Sequence, residues 1–247
     1  MKLTRKVLSA ALLAGLGVAL VAPNAVKAVD DVKDSNADIE FTKNTSEPPL
    51  TPPTTSDSEP ITGLTTHSVD EFGIRAVTPL DFDKHAATVG VSGEYWALPF
   101  KDGGREIENF VAIKDIRSTL DQKWKLSGRL KEQFKGSVSG TDKYLDGASI
   151  TYTNMNLAAD GVDPALQPTA MIFGNGSGTQ VLSEGAATVP FAQNTEEDKG
   201  KGYYFLTFGD DAQGTAGSSI KMNIPSSTNI FNTKYTATIE WTLSETL

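Results

Sequence analysis

From Lys234 to Ser244 the chain alternates without a break. Tyr235, Ala237, Ile239, Trp241 and Leu243 fall on one side of an extended segment, and Lys234, Thr236, Thr238, Glu240 and Thr242 on the other. A period of two marks a half-buried strand, and no helical period fits it. Ile220, Met222 and Ile224 alternate with Lys221 and Asn223 in the same manner. Further β-branched and aromatic runs, bounded by Gly, Asn, Asp and Pro, predict strands over 88–100, 109–117, 123–130, 148–156, 179–184 and 203–208. The one helical piece the pattern admits is Gly128 to Lys135, at most two turns, and Glu196 to Lys201 reads as an exposed charged loop. Many short strands with little helix predict an all-β fold, a single β-sandwich or barrel-like domain.

Ahead of that domain the texture changes twice. Lys2, Arg5 and Lys6 precede an apolar run from Val7 to Ala22 and the small residues around Val26-Lys27-Ala28, which reads as a secretory signal peptide over residues 1–28. The apolar run falls short of the roughly 20 residues of a spanning helix, so the mature chain is expected to have no membrane span. Residues 29–64 are rich in Pro, Thr, Ser, Asp and Asn and read as an extended spacer. Within the spacer, Ile39 and Phe41 alternate with acids over 37–41, the pattern of an edge strand. The β domain is then expected over 65–247. No apolar tail or sortase-type signal follows it, so the chain is expected to be released or held non-covalently.

Charge and residue usage remove several chemistries. With 22 Lys+Arg against 31 Asp+Glu the net charge is −9, and there are no cysteines and two histidines. Thiol nucleophiles, disulfides and cysteine-built zinc sites are excluded. Loss of Lys2, Arg5, Lys6 and Lys27 with the leader takes the mature chain to −13, which disfavours nucleic acid as a partner. His67 and His85 lie among polar residues and read as solvent-facing. Gly174 to Gly178 lacks the context of a nucleophile elbow or dinucleotide loop and reads as a flexible turn, and Asp142 to Gly147 lacks the acids of a calcium loop. No catalytic residue, metal or cofactor is therefore assigned. Asp115 and Arg117 lie in phase with Val111 and Ile113, which places both on a buried face as a structural ion pair; a ligand-binding or acid–base role is the alternative.

All three tryptophans are followed two places later by leucine: Trp96-Ala97-Leu98, Trp124-Lys125-Leu126 and Trp241-Thr242-Leu243. In a strand this spacing puts ring and aliphatic side chain on one face. The second and third pairs, in Gln122 to Ser127 and Tyr235 to Leu243, resemble the paired signatures of the WxL-domain family of Gram-positive surface proteins. Ile39-Glu40-Phe41, Leu80-Asp81-Phe82, Val111 to Arg117 and Gly147-Ala148-Ser149-Ile150 resemble that family's landmarks in the same order. The chain departs from the pattern at Asp83 and Lys123, where glycine is common, and Trp96-Ala97-Leu98 lies where no motif is expected and reads as ordinary core.

The resemblance implies a secreted protein held at the cell surface by non-covalent attachment to the cell wall, with peptidoglycan as the partner, no enzymatic activity and no cofactor. It also implies WxL-interacting surface proteins as partners, so a rival reading is a subunit that docks a membrane-anchored protein without touching peptidoglycan. The motif residues Trp124, Leu126, Trp241 and Leu243 admit two roles, core packing or exposed stacking platforms. Residues 114–135 carry seven basic groups against three acidic ones, and Lys123, Lys125, Arg129, Lys131 and Lys135 are the candidate wall-facing segment. The alternative is a solvated strand face with no specific partner.

Overall fold

The computed structural model describes residues 33, 35–42, 46–51, 59–88, 90–168 and 178–245. The leader read over 1–28 and Gly174 to Ser177 of the glycine-rich turn lie outside the described residues. The chain divides into two units, residues 1–44 and 45–247. In the first, residues 35–42 carry no strand, and Ile39 and Phe41 stand 78% and 86% exposed. The edge strand expected over 37–41 is not formed, since so short a segment has no ladder without a neighbour to pair with.

The second unit is antiparallel β throughout. In chain order its strands are β1 (Phe72–Val77), β2 (Gly93–Trp96), β3 (Phe100–Asp102), β4 (Arg105–Ile107), β5 (Asn109–Asp115), β6 (Trp124–Val138) and β7 (Thr141–Tyr144). They continue with β8 (Ser149–Tyr152), β9 (Met155–Asp160), β10 (Gln180–Ser183), β11 (Val189–Asn194), β12 (Gly202–Phe208), β13 (Ile220–Ile224) and β14 (Thr236–Ser244). The first sheet runs β1-β5-β12-β9, the second β10-β8-β13-β2, and the third β11-β6-β14, with β7 folded back on β6 and a separate β3-β4 hairpin. Among the described residues the helical pieces are two short 3-10 turns, Pro164–Leu166 and Ala216–Ser218. The helix expected at 128–135 is instead the middle of β6. Leu130 and Phe134 are both buried and four apart, a spacing that fits one helix face as well as one strand face, while irregular pairing of β6 with β14 between Thr236 and Ile239 lets the adjacent Gln133 be buried too.

The main core lies on the inner faces of all three sheets: Val111 and Ile113 of β5 and Tyr204, Leu206 and Phe208 of β12 gather with Trp124 and Leu126 of β6, Ile150 and Tyr152 of β8 and Phe191 of β11. This is a sandwich-like arrangement. The first sheet is buried on its other face as well, where Ala76, Phe110, Ala112 and Phe205 meet Leu50 and Ile61. Burial on both faces explains why Asn109 to Asp115 reads as an almost unbroken run, with every residue buried.

What covers that second face is the back half of the proline-rich stretch, so the spacer boundary expected at residue 64 falls inside the folded unit. Glu47 bridges the buried cations Arg75 and Lys114, and the Lys114 ammonium also donates to the Val69 carbonyl at 2.9 Å. Ile61 N donates to the Leu50 carbonyl, and Asp102 accepts from the amides of Thr62 and Gly63. Burial pushes the Asp102 carboxyl up, but the hydrogen bonds from Arg105, Gly63 and Thr62 outweigh it and hold the group below its ordinary range. Residues 46–51 and 59–64 thus form a strap over the first sheet.

Candidate functional site

The register of β14 on β6 sets Leu243 opposite Leu126 and Trp241 opposite Gly128. Trp124, Leu126, Leu243 and Trp241 therefore share the inner face of the third sheet. Trp124 is 0% exposed, its ring centroid lies 6.1 Å from that of Tyr204, and its Nε1–H donates to the Gly200 carbonyl at 3.3 Å. Trp241 is half-buried and lies over Gly128, where an added Cβ would come within 3.2 Å of the indole and 3.1 Å of Phe191. The missing side chain is the seat of the ring. Around it, Phe191, Phe208 and Tyr152 have centroids at 4.6, 5.9 and 6.0 Å, the contacts to Phe191 and Tyr152 being edge-to-face. Burial alone pushes the Tyr152 phenol up, and it pushes Tyr204 up with help from Asp115. Of the two roles open to the motif tryptophans, the geometry matches core packing.

The first motif is closed by a loop that the sequence presented as exposed and charged. Asn194 Nδ2 donates to the carbonyls of Gln122, Glu196 and Lys199 at 2.8, 3.0 and 2.7 Å, and its Oδ1 accepts from Glu196 N. Gly200, buried and at φ +85°, could not carry a side chain, because a Cβ would stand 2.4 Å from Asn194 Nδ2. At the end of this loop Gly200 lies against the Trp124 indole. Asn194 carries no motif, and the strand it ends, β11, is absent from the elements that the sequence pattern predicts.

Asp115 and Arg117 form a bidentate ion pair, with Arg117 Nε and Nη2 donating to the two carboxylate oxygens at 2.9 and 2.7 Å and Nη2 also to the Lys123 carbonyl. Asp115, through that hydrogen bond, raises the Arg117 pKa against the opposing effect of burial. The guanidinium lies 4.2 Å from the centre of the Phe72 ring and 3.4 Å from Glu245. This pair ties β5 to the entrance of β6, directly beside the first motif.

Four of the five basic side chains singled out on β6 and its approach are matched by acids on neighbouring elements. Lys123 meets Glu197 at 2.6 Å, Arg129 and Lys131 share Glu240 at 2.6 and 3.1 Å, and Lys135 meets Asp142 at 2.7 Å. Hydrogen bonds from Arg129 and Lys131 hold the Glu240 carboxyl below its ordinary range. Lys125 has no ion-pair partner among the described residues. The outer face of the third sheet is accordingly laced rather than uniformly cationic.

Beside Trp241 lies a cleft of about 360 Å³ between the end of β1 and the edge of β14, lined by Val77, Thr78, Pro79, Leu80, Phe110, Tyr152, Phe208, Thr236, Ala237, Ile239 and Trp241. β14 pairs with β6 on one side, and its other edge faces this cleft. Trp96 departs from its expected place in the core: it ends β2 at the margin of the second sheet and is 44% exposed. Leu98 falls beyond the end of that strand, so the spacing of two does not set ring and leucine on one face there. His85 is exposed and stacks on Tyr95 at 4.3 Å between ring centres. Among the described residues no three His, Asp or Glu side chains gather to hold a metal, and no helix is long and apolar enough to cross a membrane.

The model of the family described as WxL domain, surface cell wall-binding, matches residues 28–246. This chain belongs to the WxL family. As a WxL protein it is a cell-surface, cell-wall-associated protein, and its domain has a wall-binding role. The match takes in the strap as well as the sheets, in keeping with the folded unit that begins at residue 45. No curated protein and no solved structure matches the chain.

Proposed function

We propose that this WxL protein attaches to the wall by direct, non-covalent contact with peptidoglycan and performs no chemistry. The observation that carries the reading is the pairing of the β6 cations. A chain of net charge −9 whose basic segment is already matched by Glu197, Glu240 and Asp142 offers little attraction to the anionic polymers of a wall. Adhesion then has to be short-range, to neutral glycan or to peptide stems. Glycoside hydrolysis needs two carboxyl groups about 5 to 9 Å apart flanking the bond, and among the described residues no acid lines the cleft beside Trp241. The full chain is expected to sediment with purified peptidoglycan stripped of anionic polymers, to nearly the same extent between about 0.05 and 0.5 M salt.

A second reading is favoured by the open edge of β14. An extended segment of a membrane-anchored partner added there would gain backbone hydrogen bonds and place apolar side chains in the cleft beside Ile239 and Trp241. If bare peptidoglycan leaves the protein in the supernatant and sedimentation returns only when such a partner is supplied, this second reading replaces the first.

A further inference from the structure

The outer face of the second sheet carries a surface that the WxL pairs do not use. Glu94 and Trp96 of the edge strand β2 stand opposite Asn223 and Lys221 of β13. Lys221 in turn stands opposite Thr151 of β8, and Thr151 opposite Val181 of β10. One row, Trp96-Lys221-Thr151-Val181, therefore crosses all four strands, a span of roughly 14 Å at the usual strand spacing. Its two ends are exposed apolar side chains, Trp96 at 44% and Val181 at 46%.

The middle of the row is polar and electrically neutral. Lys221 Nζ lies 5.4 Å from the centre of the Trp96 ring and 2.8 Å from Glu94 Oε1, so the ammonium holds the indole in place while its charge is met by a carboxylate. Asn223 Nδ2 donates to Thr151 Oγ1 at 3.0 Å, which leaves its carbonyl oxygen and second amide hydrogen for other partners. The surface thus combines an aromatic plane, fixed donors and acceptors, and no net charge. That set suits an uncharged polyol with flat apolar ring faces. It does not suit an anionic polymer, because the one cation in the row is already paired.

We propose that this face is where the domain meets the glycan strand of the wall: Trp96 stacks on the pyranose ring of an N-acetylhexosamine unit, and Lys221, Asn223 and Thr151 hydrogen-bond to hydroxyl and acetamido groups along the row. The inference rests on direct attachment to peptidoglycan and gives that attachment a location. The motif indoles keep the frame rigid from the inside, and the exposed indole on the edge strand does the touching.

The test is sedimentation of the full chain and of Trp96→Ala, Trp96→Phe and Lys221→Ala with peptidoglycan stripped of anionic polymers. A parallel titration with tetra-N-acetylglucosamine is followed by the indole N–H resonances in NMR, with Trp96 assigned from the Trp96→Phe spectrum. Trp96→Ala is expected to weaken binding about tenfold, the scale of one lost ring-stacking contact, with its melting temperature little changed because the ring lies outside the core. Trp96→Phe should retain most of the affinity. The sugar should move the Trp96 resonance and leave that of Trp124 in place. Wild-type binding that Trp96→Ala leaves intact, or a Trp96 resonance indifferent to the sugar, overturns this face and leaves direct attachment standing. A wild-type chain that fails to sediment with bare peptidoglycan overturns both.

Discussion

Trp124 and Glu108 show at single positions how burial acts in opposite directions on stability. Replacing Trp124 by alanine removes a fully buried ring from between Tyr204 and the loop that Asn194 closes, and the expected loss is about 3 to 5 kcal/mol, read from a urea unfolding midpoint. Glu108 is fully buried with no cationic partner among the described residues. Burial raises its carboxyl, opposed by the backbone amides of Glu108 and Asp211 and reinforced by the charges of Asp210 and Asp211. A carboxyl whose folded value is raised favours folding in its protonated form, so its contribution is full below its unfolded value and is lost as pH rises through the folded one. Glu108→Gln is therefore expected to raise the unfolding midpoint at pH 7 and to give no gain near pH 4; a gain of equal size at both would contradict the assignment. Much at this scale was legible beforehand: the spacing of Trp124 to Leu126 and Trp241 to Leu243 is the spacing of one strand face, and Asp115 and Arg117 lie in the phase that brings them together. Trp96 was not legible, because the same spacing has no such meaning where the strand stops at the tryptophan itself.

Among the elements, β6 and the strap depart most from what the chain suggests. The fifteen residues of β6 pair with β11, β14 and β7, and its pairing irregularities leave Gln133 and Phe134 both buried, which blurs the alternation that would have announced a long strand. The strap was hidden for another reason: Leu50 and Ile61 are isolated apolar residues in proline-rich surroundings, and no periodicity records that they cover a sheet face. Leu50→Ala should lower stability by about 2 to 5 kcal/mol, and a chain shortened to residues 65–247 should melt at a distinctly lower temperature, since Phe110 and Phe205 lose their cover. Asp102 adds a pH dependence to the strap. Its folded carboxyl is lowered, so the anchoring of Thr62 and Gly63 is full above the ordinary carboxylate value near 4 and is lost as pH falls through the folded value. Proteolytic cleavage within 59–64 should accordingly rise in acid, and Asp102→Asn should show the acid pattern already at neutral pH.

For the whole molecule, the all-β class and the family identity were legible, because alternation and ordered landmarks span most of the chain. The distribution of charge was legible only as a sum. The basic stretch 114–135 looks cationic in one dimension, yet in the fold Glu197 and Glu240 come from distant positions to meet it, and Asp142 folds back on it from β7. Charge reversal at Lys123, Lys125 and Lys131 together is therefore expected to change sedimentation with bare peptidoglycan by less than about twofold; a tenfold loss would restore a direct role for that segment. The pairing of β14 with β6 bears on how such a protein comes into being. Trp241 arrives more than thirty residues after Phe208 and almost ninety after Tyr152, the rings it packs against, and Leu243 completes the face that Leu126 began. The main interior therefore lacks one wall until β14 is added, and a chain that stopped short of it would leave Tyr152, Phe191 and Phe208 without the ring that closes them in.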